Sequence, residues 1–261
     1  MMVLVLMTIF ISVQAGSSIS NFPVIEFRRY IVKDGEREHF GRYFDTYFPE
    51  AFQQMGAMAF GQFLERNNPS TFTWIRGFQN YDARATVNTA FYTGPLWKEH
   101  AAKMNERILD INNVLLLKPL NPEKGMILFP AVDPLKELNG AQGIVVAQIF
   151  AVKENGVDEF AKQVEPTFAK YREAGLREAG VLATLDEKNN FPGLPFRTDG
   201  PFLVWFGIIK DNEMLEISFN PLAKKSTEEF ASSELLRGSP ELVIMDPTSR
   251  SRLRWIPEER K

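Results

Sequence analysis

Apolar and polar positions run along this chain in two alternating periods. Residues 24–33, Val-Ile-Glu-Phe-Arg-Arg-Tyr-Ile-Val-Lys, read as a strand, because β-branched and aromatic side chains suit a pleated, half-buried surface. Past Asp34-Gly35 the period changes. Phe40, Tyr43, Phe44, Tyr47, Phe48, Ala51 and Phe52 recur at steps of three and four, which predicts a helix with one aromatic face. Gly56 is placed to end it. Strands are predicted over 58–64 and 71–78 around the turn Asn67-Asn68-Pro69-Ser70. A second helical stretch and a strand over 114–117 close the series.

The pattern then recurs. Residues 144–153, Ile-Val-Val-Ala-Gln-Ile-Phe-Ala-Val-Lys, repeat the opening strand 120 positions on, with Val32-Lys33 falling on Val152-Lys153 and Phe40 on Phe160. Asp34 and Asn155 are the expected N-caps of the two helices. Phe160, Val164, Phe168 and Tyr171, then Gly175, mirror the first helix. Strands follow over 180–185 and 202–209, and Trp74 falls on Trp205 at a shift of 131. A last strand is expected over 253–255. Each half reads β-α-β-β-α-β, the ferredoxin-like order. The predicted fold class is therefore α+β, with two ferredoxin-like halves in one chain pairing into a barrel. The expected boundaries are a signal peptide over 1–15, a leader over 16–22 and the first half over 23–120. A Pro- and Gly-bearing linker follows over 121–142, then a divergent second half over 143–256 and a tail over 257–261.

Composition narrows the chemistry. The chain has 261 residues, 44% of them hydrophobic, which suits a globular protein. A net charge of -3 gives no footprint for nucleic acid, and no nucleic-acid partner is expected. With no Cys and two His, thiolate zinc sites and three-histidine metal sites are excluded. No Gly-rich phosphate loop, GxSxG or HExxH motif occurs, and no cofactor or metal is expected. The 11-residue apolar run VLVLMTIFISV is too short to span a bilayer. With Val13 and Ala15 before Gly16 it reads as a cleaved export signal, although no basic residue precedes it. Export to the periplasm or medium is expected on that reading, and a cytoplasmic location otherwise.

The first half carries Ile25-Glu26-Phe27-Arg28-Arg29-Tyr30, Trp74-Ile75-Arg76-Gly77-Phe78, Tyr81-Asp82-Ala83-Arg84, Phe91-Tyr92-Thr93-Gly94-Pro95-Leu96-Trp97 and the closing Val114-Leu-Leu-Leu-Lys-Pro119. On these residues, 24–119 resemble the NIPSNAP family of the dimeric α+β barrel superfamily. The second half keeps Trp205 but lacks the Tyr-x-x-Arg and Pro-x-Trp steps. The resemblance implies the barrel fold and little chemistry. The wider superfamily holds cofactor-free quinol monooxygenases, haem-degrading enzymes and binding modules.

Candidate site residues cluster in the first half. Trp97 and His100 are three apart on a helix predicted over 96–108, and Asn105 lies about 80° round from Trp97. That set resembles the polar equipment of oxygen-using barrels in the superfamily, with His100 as the candidate catalytic base. The competing reading packs Trp97 on the sheet and leaves the others at the surface. Arg76, Tyr81 and Arg84 surround the turn into that half's second helical stretch, where Asp82 is the expected N-cap. They could bind a carboxylate or phenolate, or Arg84 could pair with Glu26 or Glu65 as a structural bridge. Trp74, Arg76, Tyr81, Arg84, Tyr92, Trp97 and Asn105 form the candidate substrate-binding set. His39, Tyr43 and Tyr47 read as the polar flank of the first helix. The loop 189–200 is apolar for its length. It is either a lid carrying Phe191, Leu194 and Phe196 over a barrel mouth or a loop folded on the core. Two functions remain in view: a module binding a small apolar or aromatic molecule or a protein partner, or a monooxygenase acting on an aromatic or quinol substrate. Further homodimerisation is open.

Overall fold

The computed structural model describes residues 18–257. The expected signal peptide and the last residues of the tail lie outside that range. A short ribbon pairs β1 (Ser18–Ile19) with β6 (Ile127–Leu128). The first half comprises β2 (Val24–Val32), α1 (Arg37–Tyr47), α2 (Pro49–Gln54), β3 (Ala57–Glu65), β4 (Thr71–Phe78), α3 (Tyr81–Thr93), α4 (Pro95–Asn105) and β5 (Ile108–Pro119). The second comprises β7 (Ile144–Ala151), α5 (Val157–Glu173), β8 (Arg177–Thr184), β9 (Phe202–Ile209), α6 (Asn212–Met214), α7 (Asn220–Phe230) and β10 (Glu241–Pro247). A π-helical turn, Leu215–Phe219, joins α6 to α7.

Eight strands close into an antiparallel barrel in the order β10-β3-β4-β2-β5-β8-β9-β7. Within each half the order is that of a ferredoxin-like sheet. The halves meet at two seams. Leu117, Lys118 and Pro119 of β5 pair with Thr184, Ala183 and Leu182 of β8, and Met245, Asp246 and Pro247 of β10 pair with Glu65, Leu64 and Phe63 of β3. Strand alternation sends one set of side chains inward, where Phe27, Phe60, Phe63, Phe202 and Phe206 fill the barrel, with Phe27 edge-on to Phe206 at 5.1 Å. The other set faces outward under the helices. Phe40, Phe44, Phe48 and Phe52 cover the first half's sheet, and Phe160, Val164, Phe168 and Tyr171 the second's. No helix among the described residues is long and apolar enough to cross a membrane.

Several local expectations change. The first aromatic helix breaks at Phe48, because Pro49 lacks an N–H and starts α2 instead. Its aromatic face continues across the break, and Gly56 and Gly175 end the two corresponding helices at positive φ. Asp34 and Asn155 are not caps. The N-cap positions are Glu36 and Gly156, without side-chain cap bonds. Asp34 instead accepts from the Ser70 hydroxyl. The cap of α3 is Asn80, which accepts from the Ala83 N–H, and not Asp82. The helix predicted over 96–108 spans Pro95–Asn105, and β5 begins at Ile108. The last strand is Glu241–Pro247 rather than 253–255. Leu242, Val243, Ile244 and Met245 pair along β7, whereas Leu253 folds over the barrel end and donates its N–H to the Phe60 carbonyl.

Candidate functional site

β2 and β4 carry the site on their helix-covered face. Val24, Glu26, Arg28, Tyr30 and Val32 share that face of β2, and Phe72, Trp74, Arg76 and Phe78 share that of β4. Antiparallel register sets Glu26 opposite Arg76 and Arg28 opposite Trp74. Arg84, one turn into α3, descends onto the same spot. Three guanidiniums thus converge on one carboxylate. Arg28 Nη1, Arg76 Nε and Arg84 Nε reach Glu26 at 2.9, 2.7 and 2.6 Å, and all four side chains are fully buried. Burial alone would raise the Glu26 carboxyl, but the charges of Arg76, Arg28 and Arg84 outweigh it and hold it far below the usual carboxylate range. Burial likewise opposes the Arg28 charge, which Tyr30 and Glu26 hold in place. Of the two pairings open to Arg84, the structure has the one with Glu26. Glu65 pairs with Arg29 at 2.6 Å at one end of the barrel.

Beside this cluster lies a cavity of about 430 Å³ between the helical layer and the sheet. Its walls are largely aromatic: Phe44, Phe48 and Phe52 from the first helical pair, Trp74 and Tyr30 from the sheet, and Phe91, Tyr92 and Trp97 from α3 and α4. Asn105, Asp110 and Asn112 add polar groups to its lining. Tyr30 connects cavity and cluster, accepting a 2.8 Å hydrogen bond from Arg28 Nε. Burial, then the nearby Tyr30, pushes the Tyr92 phenol up to about 12, against the opposing charges of Arg76 and Arg28.

The second half closes part of this cavity. Gly193 and Leu194 of the 189–200 loop line it, and Phe191 stacks on Tyr92 with centroids 5.9 Å apart. Tyr81 donates to the Lys188 carbonyl, Asn190 Nδ2 to the Tyr81 carbonyl at 2.6 Å, and Arg84 Nη1 to Asn190 Oδ1 at 2.6 Å. The loop therefore lies on the helices of the first half and not across a barrel mouth.

The candidate residues divide into four groups. Trp74, Tyr92, Trp97 and Asn105 meet in the cavity wall. Arg76 and Arg84 sit in the cluster behind it. Tyr81 holds the loop. His100 stands apart: it is buried between α1 and α4, outside the cavity lining. Its Nδ1 shares a 2.6 Å hydrogen bond with the Tyr43 hydroxyl, and its ring stacks on Tyr47 at 4.1 Å. Sequence reasoning did not assign a binding role to Arg28, Tyr30 or Glu26. Their signal was two charges spaced two apart on the apolar, helix-facing side of a strand.

The NIPSNAP family model matches residues 25–121, which is the first half. No curated protein matches the chain. An anthrone oxidase-like protein has a similar structure (TM-score 0.56, 14% identity, over 89% of this chain and 94% of that one). A protein of Fusobacterium nucleatum provisionally named a monooxygenase is also similar (TM-score 0.55, 12% identity, over 92% and 99%). So is one of Lactobacillus acidophilus with the same provisional name (TM-score 0.52, 13% identity, over 88% and 97%). At these identities the likeness is one of fold, the dimeric α+β barrel.

Proposed function

We propose that this NIPSNAP-like barrel is a binding protein for a small aromatic molecule, held in the first half between its helices and its sheet. The supporting observation is the cavity of about 430 Å³ walled by aromatic rings from both layers. Such a space suits a planar ligand, which gains edge and stacking contacts on every side. The alternative, a cofactor-free monooxygenase on an aromatic or quinol substrate with His100 as base, draws no support from the position of His100. A base must come within hydrogen-bond reach of the proton it takes, and this imidazole is engaged by Tyr43 outside the cavity.

The test is calorimetric titration of the full chain with 2-naphthamide, a neutral bicyclic probe. Binding is expected, and Trp97→Ala should weaken it roughly tenfold, the scale of one or two lost aromatic contacts. His100→Ala should leave affinity within about twofold, since that side chain makes no part of the wall. Absence of binding, or equal affinity in Trp97→Ala, would sink the reading. A turnover that disappears only in His100→Ala would favour the monooxygenase.

A further inference from the structure

The arginine cluster has more positive charge than its surroundings answer. Arg28, Arg76 and Arg84 face a single carboxylate, Glu26, and all four are fully buried. Arginine does not deprotonate in proteins, so the cluster holds two net positive charges away from water. Its hydrogen bonding is also incomplete. Arg28 Nη2, Arg76 Nη1 and Nη2, and Arg84 Nη2 are buried with no hydrogen-bond partner in the protein, as are Trp74 Nε1 and both polar atoms of the Asn88 amide. Orphaned donors and unpaired charge each carry a large desolvation cost, which a bound anionic group offsets more fully than water because it supplies charge as well as hydrogen bonds.

The second half shows what the same position looks like when it serves packing alone. Register places Val146 where the first half has Glu26, Gln148 for Arg28, Trp205 for Trp74 and Gly207 for Arg76. Leu215 stands for Arg84, both four residues past a capping residue, Asp211 and Asn80. There the polar groups are answered. Gln148 Nε2 donates to Ser226 at 3.1 Å, Tyr171 donates to Gln148 Oε1 at 2.9 Å, and Trp205 Nε1 donates to Glu178 at 3.1 Å. The Trp205 ring lies over Gly207, in the space a side chain would need. One half is closed, neutral and satisfied, and the other is cationic and unsatisfied beside a cavity.

We propose that Arg28, Arg76 and Arg84 form a buried oxyanion site, so that the aromatic ligand of the neighbouring cavity is an acid, carrying a carboxylate or phosphate that these guanidiniums hold. The site adjoins the cavity through shared walls. Tyr30 accepts from Arg28, and the rings of Phe52 and Trp74 lie 5.0 and 4.8 Å from the Arg76 guanidinium carbon. The ligand's ring system occupies the cavity; because none of the three arginines lines it, the acidic group reaches the nitrogens without hydrogen-bond partners as the Phe52 and Trp74 rings that cover Arg76 give way. Planar guanidinium forks suit such oxygens in bidentate fashion. Glu26 sets the three forks in place and leaves their outer nitrogens for the ligand.

This inference rests on the cavity reading above, and the probes separate the two. The full chain is titrated with 2-naphthoate, 2-naphthyl phosphate and 2-naphthamide. At least one acid is expected to bind about tenfold or more tightly than the amide, the scale of one charge-assisted hydrogen bond. The preference should survive about 0.5 M salt, because a buried pair is weakly screened. Arg28→Gln and Arg84→Leu, which install the second half's residues, should each reduce that preference to about twofold; the readout is the ratio of acid to amide affinity, because the two residues also support Tyr30 and the covering loop. Inorganic phosphate should compete with the preferred acid and not with the amide. Equal binding of acids and amide by the wild-type chain would overturn the oxyanion site and leave the aromatic cavity standing. A preference that salt abolishes, or that both variants retain, would also overturn it. If no probe binds, the cavity reading fails first and the oxyanion site with it. The wild-type comparison decides the matter even if one variant does not fold.

Discussion

Glu26 shows how one residue organises a site. Its two carboxylate oxygens meet three guanidiniums at 2.6 to 2.9 Å, and without it three like charges would face each other in a dry interior. Glu26→Gln is therefore expected to lower stability by about 3–5 kcal/mol, the cost of stripping a buried charge of its partner, as urea denaturation at pH 7 would show. The sign of its pH dependence follows from the lowered carboxyl. A depressed group contributes stability that is present above its ordinary value of 4.5 and is lost as pH falls toward its folded value. Wild type and Glu26→Gln should thus converge in stability below about pH 4. A gap that stayed constant between pH 7 and pH 3 would contradict this account. His100 teaches the opposite lesson at the same scale. Its type and spacing suggested chemistry, and in the structure its ring is engaged by Tyr43, Tyr47 and Phe48 outside the cavity lining.

At the scale of elements, the 189–200 loop is the second half's contribution to the first half's cavity. It is held by Tyr81, by Arg84 through Asn190, and by Phe191 against Tyr92. Phe191→Ser should leave the melting temperature nearly unchanged, since that side chain belongs to no core cluster. It should also speed amide exchange in the loop and shorten the residence of a bound aromatic probe. Unaltered exchange would show that the polar contacts alone hold the loop. Most strands and helical faces were legible in the sequence, because each half writes them plainly: runs of β-branched and aromatic residues in β2 and β7, steps of three and four in α1 and α5. The closing strand was not. Residues 241–245, Glu-Leu-Val-Ile-Met, form a short apolar run after a Gly- and Pro-bearing turn, and the apolar Leu253 and Trp255 beyond it pack on the barrel core without entering a strand. The aromatic part of the cavity was legible through Trp74, Tyr92 and Trp97. The cluster was legible only in pieces, because Glu26, Arg28, Arg76 and Arg84 come together through pairing register and a helix start, which a linear pattern does not show.

At the scale of the molecule, the two halves share one interior. Phe27 and Phe63 from the first half and Phe202 and Phe206 from the second belong to the same buried cluster, and neither sheet has its inner face covered without the other. Thermal unfolding followed by calorimetry should accordingly show a single transition whose van't Hoff and calorimetric enthalpies agree. Two resolved transitions would mean that the halves are separable. Closure of the barrel pairs each of its eight strands on both sides, so the barrel strands offer no free edge to a neighbouring chain; among the described residues the free strand edges are those of the β1–β6 ribbon.

The asymmetry between the halves has a further consequence. A barrel assembled from two identical chains repeats every pocket twice, by symmetry. Here both halves belong to one polypeptide and differ at the decisive positions: Glu26 against Val146, Arg28 against Gln148, Arg76 against Gly207. On the function proposed above, the stoichiometry is one ligand per polypeptide. On that reading its binding isotherm has no equivalent aromatic pocket in the second half with which to cooperate, and the second half serves as scaffold and supplies part of the cover through the 189–200 loop.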